Sequence, residues 1–129
     1  MLRVVNNEIE IHETPLEKVV VNFPELSIYF DDINENRWKI VFKPFQGVKL
    51  TTIDCFDVNS LLIDGVYKKF ILEDTESKWI QTLKQELKLN DDTADFMNKS
   101  HHYIFPFQDN IIEIIAWGNY IITLDEQNG

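Results

Sequence analysis

Residues 26–42 read LSIYFDDINENRWKIVF, and the fold is decided there. Leu26, Ile28 and Phe30 alternate with Ser27 and Tyr29; after the polar break Asp31-Asp32-Ile33-Asn34-Glu35-Asn36, Trp38, Ile40 and Phe42 alternate with Lys39, Val41 and Lys43. Side chains alternate faces along a strand, so each run has one apolar and one mixed face. Two such runs around a short polar loop predict an antiparallel hairpin. Pro44 ends its second arm, because proline cannot donate to a ladder.

Period two continues on both sides. Residues 48–56 (VKLTTIDCF) are rich in β-branched types and predict a third strand. Leu61-Leu62-Ile63 and Val66-Tyr67 flank Asp64-Gly65, a pair suited to a primed two-residue turn, with Phe70-Ile71-Leu72 extending the second arm. Val4-Val5, Ile9-Glu10-Ile11 and Val19-Val20-Val21 predict short strands punctuated by Pro15 and Pro24. Towards the C-terminus, His101 to Phe107 and Ile111 to Trp117 read as strands joined by Gln108-Asp109-Asn110. Gly118-Asn119 then reads as a tight turn into Tyr120 to Leu124. Ile111 to Ala116 is apolar on both faces except at Glu113, the pattern of a central strand covered above and below.

One segment changes period. In TESKWIQTLKQELKL (75–89), Trp79, Ile80, Leu83 and Leu87 form one apolar helical stripe. Glu73, Asp74 and Glu76 crowd its start and Lys84 and Lys88 its end, as the helix dipole favours. Asp74 or Thr75 is the expected N-cap, and Asp91 to Asn98 adds a short helical turn. The expected architecture is a β-rich α+β domain spanning 1–129. Seven or eight strands form a mostly antiparallel sheet, twisted or folded into two layers, with one main helix at about 75–89.

Composition narrows function. Twelve Lys+Arg against twenty-two Asp+Glu give a net charge of −10, and residues 1–64 and 65–129 each carry 6 basic and 11 acidic groups. An evenly acidic surface repels phosphate backbones and anionic membranes, so neither nucleic acid nor membrane is an expected partner. A basic protein would be steered in. One cysteine, Cys55, permits no internal disulfide and reads as a small buried hydrophobe. The first thirty residues contain five Glu and no apolar core of signal-peptide length, which predicts a cytoplasmic protein.

Chemistry-bearing patterns are sparse. Glycines lie too far apart for a phosphate-binding loop, and one Cys with three His offers no zinc spacing, so no cofactor or metal is expected. His101 and His102, adjacent on a strand, point to opposite faces. Glu113 either sits at a sheet surface or needs a buried partner such as Arg37, Lys39 or a tyrosine hydroxyl, and is the candidate for a buried functional acid. The densest acidic sites expected at the surface are Asp31, Asp32 and Glu35 in the hairpin loop and Glu73, Asp74 and Glu76 ahead of the helix.

Two stretches carry a resemblance. Phe70-Ile71-Leu72-Glu73-Asp74 through Ser77-Lys78-Trp79-Ile80 and Leu83 resembles the strand-to-helix motif of a group of small bacterial proteins of unknown function. His101-His102-Tyr103-Ile104, Asp109 and Ile112-Glu113-Ile114-Ile115-Ala116 are similar to the paired C-terminal strands of that group. These in turn resemble small acidic immunity proteins that accompany polymorphic toxins in Bacillus-like bacteria. The resemblance covers roughly residues 70–117 and implies a cytoplasmic inhibitor without catalysis, fixing no functional residue. The resulting expectation is a non-catalytic binding protein that neutralises a basic toxin domain. A structural or homo-oligomeric module, such as a homo-dimer, is the first alternative, and a small hydrolase using Glu113 and a His the second.

Overall fold

A computed structural model of the chain describes residues 1–13 and 17–125. The hairpin forms as the alternation requires: β3 (Glu25–Asp31) and β4 (Arg37–Phe42) are antiparallel, with Ile28 opposite Ile40. Their inward residues Leu26, Ile28, Phe30, Ile40 and Phe42 are almost completely buried. Each such side chain stabilises the fold by about 1.5–3 kcal/mol. β2 (Lys18–Asn22) and β11 (Ile121–Leu124) flank the hairpin, giving a four-stranded sheet in the order β11-β4-β3-β2.

The second sheet has five strands in the order β1-β8-β9-β10-β5: β1 (Leu2–Val4), β8 (Leu72–Asp74), β9 (Ser100–Pro106), β10 (Asn110–Trp117) and β5 (Phe45–Thr52). Every pairing in both sheets is antiparallel. The sheets share one core, in which Phe42 packs on Tyr103 and Phe105 at ring separations of 5.2 and 6.1 Å. Burial pushes the Tyr103 hydroxyl well above the ordinary tyrosine value, with the Glu73 charge adding to it. β10 is internal and covered on both faces, as its unbroken apolar run predicts. The β-rich α+β class stands, with eleven short strands among the described residues in place of seven or eight.

The outer face of the five-stranded sheet carries helix α1 (Lys78–Asn90) and a small hairpin, β6 (Leu62–Ile63) and β7 (Val66–Tyr67). Asp64 and Gly65 turn that hairpin at φ 51° and 76°, the left-handed pair a primed turn demands. Gly47 lies under α1: a Cβ there would fall 2.8 Å from the Trp79 ring, so only glycine admits this approach. Ile80 and Ile115 pack together with Met97, which a short 3-10 turn (Phe96–Lys99) brings in.

Five local expectations are corrected. The helix starts three residues late and is capped by Ser77, whose Oγ accepts from the Ile80 N–H at 3.1 Å; neither Asp74 nor Thr75 caps it. Residues 72–74 are drawn into the sheet between β1 and β9, and Thr75 N–H bonds Met1 O at 2.8 Å. No acid therefore sits in the first helical turn. Phe70 to Leu72 likewise does not extend the small hairpin, since Leu72 pairs with Val4 and Ile104. The third strand runs 45–52, and residues 53–55 form a 3-10 turn. Gly118-Asn119 is no hairpin turn but a crossover, because β11 pairs with β4 in the other sheet. Cys55 is exposed. Among the described residues, no helix is long and apolar enough to cross a membrane.

Candidate functional site

β9 presents its two histidines to opposite faces, as period two requires. His102 points outward, and its ring joins two groups into a line: Nδ1 lies 2.7 Å from Ser77 Oγ, and Nε2 lies 2.9 Å from Glu113 Oε1. The three come from three elements. Ser77 is held by its duty as helix cap, and Glu113 sits opposite Ile104, diagonal to His102 on the same face. Trp79 closes the flank of the imidazole edge-on at 5.4 Å. Glu113's partner is thus His102, not Arg37, Lys39 or a tyrosine.

The order of the line decides what it can do. A serine–histidine–glutamate chain is the layout of an acyl-transfer triad when the serine faces substrate. Here it runs inside out. Ser77 is 4% exposed, and its oxygen already serves the helix cap and the histidine. Glu113 and His102 line a cleft of about 650 Å³; Ser77 is not part of its wall. The cleft lies between β1, β8, the outer face of β9 and β10, and the small hairpin. Leu2, Phe56, Leu61 and Ile104 give it apolar walls, and Asp64 and Asp74 add two further carboxylates. The Met1 ammonium lies 3.3 Å from Asp74 and 3.7 Å from Glu76.

Among the described residues, the hydrogen bond given to the Glu113 carboxylate is that of His102 Nε2 at Oε1. Lys49 faces Glu113 across the β5–β10 ladder, yet its ammonium sits over the Trp79 ring, 4.1 Å from the centroid. No lysine or arginine pairs with Glu113 among the described residues.

The other acids singled out in the sequence scatter. Asp32 is buried and accepts from the Asn34 and Asn36 N–H groups (2.8 and 2.9 Å), the Asn36 amide and Trp38 Nε1 (2.9 Å). Burial pushes its carboxyl up, and those hydrogen bonds outweigh it, leaving the group below the ordinary carboxylate value. It organises its own loop and is not at the surface. Asp31 pairs with Arg37 at 2.9 Å, while Glu35 is exposed. Glu73 is buried against Arg3 and His101 on the inner face. Only Asp74 joins Glu113 in the cleft, with Glu76 exposed near it. Sequence reasoning missed Ser77 and the His102–Glu113 contact.

A second groove, of about 600 Å³, lies between α1 and the loops at Phe23 and Phe45, with Leu83, Leu87, Phe96 and Trp117 along it. It is almost wholly apolar and offers little to orient a ligand. Among the described residues, no group of three or more His, Cys, Asp or Glu is placed to hold a metal ion. No protein-family model, curated protein or solved structure matches the chain.

Proposed function

We propose that this is a non-catalytic cytoplasmic binding protein that docks a basic protein partner, an immunity-type inhibitor of a toxin domain, through the cleft around Glu113. One observation carries the reading: a largely buried carboxylate in a chain of net charge −10 lines a cleft with two further acids, and among the described residues no lysine or arginine pairs with it, while the Met1 ammonium is taken up by Asp74 and Glu76. A buried charge is costly unless paired, so the cleft favours a ligand that brings positive charge. The surrounding acidity steers such a partner in, and the apolar walls add desolvated contact on arrival.

The test is association with the product of the neighbouring reading frame, followed as salt rises. The association rate should fall steeply with ionic strength. Glu113→Gln should raise the dissociation rate, because it acts after docking. A rate indifferent to salt and a complex indifferent to Glu113→Gln would reject the reading. A second reading, a small hydrolase using Glu113 as base and His102 behind it, draws on their direct contact in a cleft that also holds Asp74. Its mark would be an activity that Glu113→Gln abolishes while the fold stays intact.

A further inference from the structure

We infer that the group the cleft accepts is the guanidinium of an arginine side chain, presented by the partner with its aliphatic stem along the apolar wall. This rests on the reading of the cleft as the docking site for a basic protein, and specifies it. The molecule contains its own template. On the inner face of the same sheet, Glu73 Oε2 lies 2.6 Å from His101 Nδ1, and its Oε1 accepts from Arg3, whose Nε and Nη2 lie at 2.9 and 2.6 Å. A buried carboxylate on this sheet is thus completed by one imidazole and one guanidinium fork.

Glu113 repeats the first half of that arrangement and lacks the second: His102 holds Oε1, and among the described residues no guanidinium or ammonium pairs with the carboxylate. The nearest chain cation by register, Lys49, is diverted onto Trp79. The space beside Glu113 suits the missing group. Leu2, Leu61 and Ile104 can cover three methylenes, as long charged side chains require, while Asp64 and Asp74 add negative charge to the wall, Asp74 Oδ1 already accepting from the Met1 ammonium and the Glu76 N–H. A guanidinium is more weakly hydrated than an ammonium and can set two N–H groups on one carboxylate oxygen, as Arg3 does on Glu73 Oε1. A site whose acid is mostly buried therefore favours arginine over lysine.

Calorimetric titration of the whole chain with N-acetyl-arginine amide, N-acetyl-lysine amide and N-acetyl-citrulline amide tests this on the unaltered protein. The arginine compound should bind with a Kd of about 1 mM, the lysine compound about tenfold more weakly, and the neutral citrulline isostere not at all. Glu113→Gln, checked for an unchanged unfolding curve, should weaken arginine binding about tenfold. Equal binding of arginine and lysine compounds would overturn the guanidinium assignment while leaving an acidic docking cleft in place. Binding of the basic partner protein with no binding of either amide would overturn it too, and would leave docking standing on another surface. Arginine binding that Glu113→Gln leaves unchanged would remove the cleft from both readings.

Discussion

Two histidine–glutamate pairs meet at β9, which carries both histidines between Glu73 on β8 and Glu113 on β10, and lead different lives. His101 and Glu73 lie on the inner face, where Arg3 occupies the second carboxylate oxygen and the acid is 7% exposed. His102 and Glu113 lie on the outer face, where a serine occupies the far side of the imidazole and the glutamate lines the cleft. In the first pair the cation is built in, so the pair stabilises the fold. In the second the cation is missing and the charge is left for something else. On the proposed reading, the same two residue types serve the fold or a ligand according to whether the chain supplies the third.

The largest effect expected from this contrast is on the closed pair. Arg3→Met leaves Glu73 buried with an imidazole alone and should cost about 3 kcal/mol in urea unfolding, the low end for breaking a buried pair because Arg3 is half exposed. A loss below about 1 kcal/mol would mean that the inner pair is not completed by Arg3 and that the comparison fails. Asp32 is the third buried acid and is satisfied by dipoles alone, so Asp32→Asn should cost about 2 kcal/mol near neutral pH. Its folded-state value is depressed, so this stabilisation is full above about pH 4 and disappears as pH falls through the folded value. Unfolding measured from pH 7 to pH 2 should show the gap between wild type and variant closing on the acid side.

Ser77→Ala removes a helix cap and one anchor of His102, for about 1–2 kcal/mol by thermal unfolding. Smallest of all should be Glu113→Gln, which keeps an acceptor for the imidazole and relieves an uncompensated charge, with a change of about 0.5 kcal/mol or less. If Glu113→Gln destabilised as much as Arg3→Met, the outer pair would be structural after all.

What the sequence made legible follows from how local each feature is. Leu26 to Phe42 pairs with itself, so alternation and a loop were enough. The opposite facing of His101 and His102 needed only the strand period. The helix boundary was hidden because β8 is claimed by residues 2–4, some seventy positions earlier. That pairing takes Glu73 and Asp74 out of the helix start and turns one into a core ion pair and the other into a cleft acid. The His102–Glu113 contact was within reach. A hairpin through Gln108-Asp109-Asn110 sets Ile104 opposite Glu113 and His102 on the diagonal, and diagonal neighbours on one face touch. Asp32 misled because its acceptors are filled by backbone groups of its own loop, which composition does not reveal.

The central claim is that the outer pair is open to a cation and the inner pair closed. Side-chain nitrogen NMR of His101 and His102 during titration with a short arginine-containing peptide tests it directly. The account predicts that the His102 resonances move in a saturable way while those of His101 stay in place. Movement of His101 alone, or of neither ring at saturating peptide, would contradict it.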